Sequence, residues 1–117
     1  MIFAGYVAGA NQAAGADNGI AGKYFLSVDP FQYIQLHPDG TCLAGARELT
    51  PSGTFKGSIT VLKMTYGVKG DIITLTGGPQ GNSIDFRLEG NALVPLQKQR
   101  GTPAMKKAME GSKYIRR

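Results

Sequence analysis

The sequence predicts an all-β fold: a small antiparallel meander of about eight or nine strands, with one short helix before the last strand. Three observations carry this. Segments of period-two hydrophobicity follow one another at short intervals. The 17 glycines stand beside Asp, Asn, Pro and Ser, as tight turns require. Two of the hairpins repeat the same turn chemistry further along the chain.

The expected strands fall near Lys23–Ser27, Gln32–His37, Thr41–Gly45, Thr54–Thr60, Val61–Val68, Ile72–Thr76, Ser83–Glu89 and Ala92–Leu96. Gly70-Asp71 and Gly90-Asn91 are the repeated turns. In each, Gly supplies the positive φ that the first central position of a type II′ turn needs. A two-residue loop at Gly70-Asp71 sets Val68 opposite Ile73 and Tyr66 opposite Leu75. Stepping back by twos places Met64 and Leu62 on that face and Lys63, Thr65, Lys69 and Thr74 on the other, so turn and pattern agree. The second turn pairs Leu88 with Leu93 and puts Phe86 and Ile84 inside. Pro95 then breaks the parity, as at an edge or bulge.

Toward the C-terminus, Thr102 suits an N-cap, Pro103 the first helical position, and Gly111 a left-handed stop. A helix over Ala104–Glu110 is too short to stand alone, so it is expected to dock on the sheet through Met105 and Met109. Ser112–Arg116 reads as the last strand, with Tyr114 and Arg116 on one face and Lys113 and Ile115 on the other.

The only histidine and the only cysteine lie five positions apart in Leu36-His37-Pro38-Asp39-Gly40-Thr41-Cys42. If they met, they would form a nucleophile and its base. Pro38 pre-sets the φ of a type I turn, and Gly40 follows where φ must turn positive. That register sets Leu36 against Cys42 and Ile34 against Ala44, and leaves His37 on the opposite face. Cys42 is then a core residue with an inert thiol.

Composition bounds the rest. One cysteine excludes an intramolecular disulfide and, with one histidine, a four-ligand Cys/His zinc site. Asp29, Asp39, Asp71 and Asp85 fall at turns or outward positions, so no acid/base pair emerges. Gly77-Gly78-Pro79-Gln80-Gly81-Asn82 joins two strands and opens no helix, which argues against a phosphate cradle. Residues 97–117 hold seven of the thirteen Lys and Arg against Glu110 alone, so the net charge of +5 is local. Lys98, Arg100, Lys106, Lys107, Lys113, Arg116 and Arg117 therefore form a candidate surface for an anionic partner. Nucleic acid is disfavoured, because only Tyr114 lies close to those charges in the sequence. Residues 1–20 read as a flexible Ala/Gly-rich leader and 21–117 as a single domain. The leader lacks the basic start of a signal peptide and is too short to span a membrane, yet Ala13, Ala14 and Ala16 suit the clipped end of an export signal.

The motifs GKYFL, YIQLHPDGTCLA, SGTFKG, VKGDIITLTG, FRLEGNALVPL and KYIRR together resemble a small lipocalin-like β-barrel domain of bacterial proteins. The resemblance covers roughly residues 22–117. Phe55 in place of the usual Tyr, an extended Ser58–Tyr66 region and the helix before the last strand depart from the pattern. The resemblance implies a small antiparallel meander β-barrel closed by the last strand against Lys23–Ser27, in a protein that is often exported and otherwise cytoplasmic, with no catalytic residue or cofactor to carry over. The expected function is a non-enzymatic accessory or protein-interaction module, with homo-oligomers compatible. The alternatives are a carrier of a small apolar ligand and an anionic-partner binder acting through the basic segment. Leu62, Met64, Tyr66, Leu75, Phe86 and Leu88 are bulky enough that a filled interior is expected.

Overall fold

The computed structural model describes residues 17–78 and 81–117. Residues 1–16, most of the expected leader, lie outside them. Within them the chain forms α1 (Asp17–Ile20), β1 (Gly22–Leu26), β2 (Tyr33–Leu36), β3 (Thr41–Leu49), β4 (Phe55–Lys69), β5 (Ile72–Gly77), β6 (Asn82–Glu89), β7 (Ala92–Pro95), α2 (Pro103–Ala108) and β8 (Tyr114–Arg116). The eight strands pair in sequence order, each antiparallel to the next, and β8 returns to β1 to close the barrel. Closure removes the two edges that an open meander would leave unpaired.

The turns set the register. Val68 pairs with Ile73, Tyr66 with Leu75, and Leu88 with Leu93. Gly70 and Gly90 hold φ of +65° and +62°, as their turns require. At the Pro38 turn, Gly40 donates to the His37 carbonyl at 3.2 Å and has φ +92°, and Leu36 and Ile34 oppose Cys42 and Ala44. Pro95 pairs with Phe86 but lies past the end of β8, which reaches β7 only at Ala92 and Leu93. Its missing N–H therefore breaks no bond to β8.

Two expectations are corrected. The segments Thr54–Thr60 and Val61–Val68 are one strand of 15 residues. No turn-forming residue separates Thr60 from Val61. The irregularity lies instead at Gly57, with φ +88°, where β4 carries two more residues than β3 between the pairs Ala46–Thr60 and Glu48–Lys56. An even insertion preserves parity, so side chains keep their faces past the bulge. β3 likewise runs on to Leu49 instead of stopping at Gly45. The β3–β4 hairpin thus forms an arm reaching beyond the barrel.

That arm, more than the sheet, is what α2 docks on. Thr102 caps the helix by accepting from the Met105 N–H at 3.2 Å, and its hydroxyl donates to the Pro51 carbonyl at 2.6 Å. Gly53 sits so close to the helix that a Cβ there would lie 2.6 Å from the Ala104 carbonyl oxygen. Met105 and Met109 are half-buried, and α2 has no fully buried residue.

The turns divide the barrel into two ends. The tight turns at Pro38–Gly40, Gly70–Asp71 and Gly90–Asn91 gather at one end. There Tyr24, Leu36, Cys42, Ile73 and Leu93 fill the interior, and Ile20 of α1 is buried with them. The Tyr24 hydroxyl donates to the Ile20 carbonyl at 2.7 Å, and Arg116 donates to the Gly19 and Ala21 carbonyls at 2.8 and 3.3 Å. The core therefore extends into the last residues of the expected leader. The other end carries the longer connections: 27–32, the arm, 78–81, and 96–113 with α2.

Candidate functional site

At that second end the barrel is hollow. A cavity of about 400 Å3 lies between Ile34, Leu62, Met64, Leu75, Phe86 and Tyr114, side chains of five strands. Its space comes from small residues at inward positions: Ala44, Ala46 and Gly77 face it where larger side chains would fill it. Exposed Gly78, Asn82 and Ile84 also line it and mark its mouth. At about 30 Å3 per water, the volume far exceeds the few waters that a filled barrel would leave. The expectation of a filled interior holds for the tight-turn end and fails for this one. The bulky residues weighed in the sequence are present, but the glycine and alanines opposite them leave the room.

The lining is apolar with few polar groups. Tyr114 packs edge-on to Phe86 with ring centroids 5.8 Å apart. Burial raises its phenol pKa. Among the described residues nothing forms a hydrogen bond with its hydroxyl. Tyr33 and Asn82 are the other polar residues along the lining, and a cavity of this composition suits a largely hydrophobic molecule.

The loop beside the mouth is fixed by an ion pair that the sequence did not reveal. Asp29 is 3% exposed and accepts both arms of Arg47 at 2.7 Å, with Gln32 donating to the same carboxylate at 2.8 Å. Burial alone would raise the Asp29 pKa, but the bonds from Arg47 and Gln32 and the Arg47 charge outweigh it and hold the carboxyl below its usual value. Arg47 also lies 5.2 Å from the centroid of the Phe31 ring, which is 69% exposed.

Cys42 faces the core with 1% exposure, and burial pushes its thiol up to about 11. His37 lies on the opposite parity. Its carbonyl accepts from the Tyr66 hydroxyl at 2.6 Å, and no hydrogen bond joins the His37 and Cys42 side chains. Among the described residues no group of three or more His, Cys, Asp or Glu is placed to hold a metal ion. A second, broader depression lies on the flank over β3, β4 and β5, lined by both His37 and Cys42 together with Thr41, Leu43, Lys63 and Thr76.

The seven basic candidates divide between the two ends. Lys98, Arg100, Lys106, Lys107 and Lys113 are exposed in the connection from β7 to β8, on the side of the cavity mouth. Arg116 turns inward at the other end, where its guanidinium is committed to backbone carbonyls and lies 5.8 Å from the Tyr24 ring centroid. Arg117 lies over Phe25 at 5.5 Å. Aromatics thus do stand beside cations on the outer wall, which sequence distance had concealed: Lys23 covers Tyr33 at 4.2 Å and Phe25 at 5.5 Å. The other side of the Tyr33 ring rests against Gly45, where no Cβ would fit.

No protein-family model, curated protein or solved structure matches this chain. No helix among the described residues is long and apolar enough to cross a membrane.

Proposed function

We propose that the protein is a non-enzymatic binding module of the lipocalin-like kind that holds a small apolar ligand in the hollow end of its barrel. The single observation that supports this reading is the cavity of about 400 Å3 walled by Ile34, Leu62, Met64, Leu75 and Phe86. The volume falls within the range of about 300–1,000 Å3 that small-molecule pockets occupy. The ligand class is a compact hydrocarbon or a medium-length acyl chain with one hydrogen-bond acceptor for Tyr114. The shielded thiol of Cys42 favours binding over chemistry. The lipocalin-like motifs agree with the same reading and carry with them the expectation of a bacterial, exported protein.

Titration of a fluorescent apolar probe, with fatty acids of graded chain length as competitors, tests this. Saturable one-to-one binding, displaced best by one chain length, is expected. Ala44→Leu, which narrows the cavity from its wall, should weaken it and shift the preference to shorter chains. A probe that binds without saturation, or equally well to Ala44→Leu, would overturn the proposal.

The accessory, protein-contact reading has a weaker footing in the outer wall, where Phe25 and Tyr33 are half-buried beneath Lys23 and Arg117. With Tyr33 covered on one side by Lys23 and on the other by Gly45, its ring offers no open face for base stacking. That arrangement disfavours a nucleic acid on this wall.

A further inference from the structure

The end of the barrel that carries the cavity mouth also gathers most of the exposed apolar and basic side chains. Of the six large hydrophobic residues left exposed among the described residues, Val28, Phe31, Ile84 and Leu96 stand at this end, with Phe31 at 69% exposure. Val28 and Phe31 belong to the loop between β1 and β2, Leu96 follows β7, and Ile84 lines the mouth itself. The connection 96–113 adds Lys98, Arg100, Lys106, Lys107 and Lys113 against Glu110 alone. The tight turns at the opposite end carry Asp39, Asp71 and Glu89, with Lys69, Arg87, Arg116 and Arg117 beside them. Exposed hydrophobic tips and a basic excess therefore coincide at the open end, whereas the closed end interleaves acids with bases.

Hydrophobic tips set among lysines and arginines suit one kind of surface. Apolar side chains of this size bury at the boundary of headgroups and acyl chains, while basic residues are held by anionic headgroups. A folded acidic protein would satisfy the lysines but leaves Phe31 and Val28, on a loop pinned by the Asp29–Arg47 pair, without a defined recess to enter. We propose that the open end docks on an anionic lipid bilayer, so that the cavity mouth faces the membrane from which its apolar ligand enters. The membrane thus becomes the source of the ligand, a step that rests on the cavity reading, whereas the docking itself does not. The Asp29–Arg47–Gln32 network keeps the loop rigid, so Phe31 and Val28 meet the bilayer without a loss of loop entropy on contact.

Sedimentation of the full chain with vesicles tests this directly. Vesicles of phosphatidylglycerol and phosphatidylcholine in equal parts should bind the protein, and vesicles of phosphatidylcholine alone should not. Each basic residue near an anionic surface is worth about a fivefold change in partitioning. Lys98→Gln with Arg100→Gln should therefore weaken binding by at least tenfold, and raised salt should do the same. Phe31→Ser should weaken it further, while Val68→Ser and Lys69→Gln at the closed end should change nothing. All five positions are exposed, and circular dichroism of each variant confirms the fold. Ala44→Leu separates this proposal from the previous one: it should weaken probe binding in solution and leave vesicle binding intact. Equal binding to both vesicle types, no binding to either, or an equal loss from the closed-end variants would overturn the proposal. So would retention of single-stranded DNA, but not of vesicles, through Lys98 and Arg100.

Discussion

Arg47 grips Asp29 with two nitrogens, each 2.7 Å from a carboxylate oxygen, across 18 positions of sequence. The pair joins the bulged region of β3 to the loop that holds Phe31. Asp29 is 3% exposed, so its charge depends on that grip. Arg47→Ala leaves the carboxylate buried with only Gln32 as a side-chain donor and should destabilise the fold by about 2–3 kcal/mol, below the full cost of breaking a buried pair because Arg47 itself is partly exposed. Urea unfolding monitored by circular dichroism reads the loss.

The same pair sets an acid limit. A carboxyl whose pKa is lower folded than unfolded contributes stability above its unfolded value of about 4 and loses it as pH falls through the folded value. Unfolding midpoints measured from neutral pH downward should therefore decline below about pH 4. Asp29→Asn should start from lower stability and decline less steeply over that window.

Cys42 should resist modification. With the thiol pushed up to about 11 and 1% of the residue exposed, Ellman's reagent should react over hours in native buffer and within seconds in denaturant. Cys42→Ala should cost about 1 kcal/mol or more, as a small core truncation does. Fast titration of the native thiol would mean that the Pro38 turn does not hold Cys42 inward.

Tyr33 and Gly45 should show coupling. A methyl at Gly45 collides with the Tyr33 ring, so Gly45→Ala should cost about 1–3 kcal/mol as an overpacked site. Tyr33→Ala alone loses the contact with Lys23 and the cover over the Gly45 backbone. Combined, the two substitutions should cost less than the sum of the single ones, and a double-mutant cycle measures the difference.

Much of the framework was legible because turn chemistry fixes register and register fixes faces. The Gly-Asp and Gly-Asn turns and the Pro38 turn each determine which residues oppose one another. From them followed the burial of Cys42 and the pairing of Tyr66 with Leu75, while the closure of β8 on β1 came from the family resemblance. What escaped depends on contacts between distant residues. Nothing local marks Asp29 as the partner of Arg47, or Lys23 as the cover of Tyr33. The hollow end was within reach: Ala44, Ala46 and Gly77 share the inward parity of Cys42 and Leu75, but a count of bulky inward residues passes over the small ones that face them. Gly57 likewise permits a bulge within one long strand, where the sequence was read as two.

Closure by the C-terminal segment should be essential to the fold. β8 pairs with both β1 and β7, and α2 packs on the arm at Gly53. Deleting residues 102–117 exposes two strand edges, so the shortened protein should aggregate or melt far lower than the full chain. An unchanged melting temperature would show that the segment adds nothing to the barrel.

The cavity is most directly tested at Met64, whose side chain lines it, while Met105 and Met109 lie on the helical segment outside. In protein labelled with 13C at the methionine methyls, addition of the apolar ligand selected by the probe assay should shift the Met64 resonance in a saturable way. The Met105 and Met109 signals should stay in place. Movement confined to those two methyls, or no saturable shift at Met64, would contradict ligand binding inside the barrel.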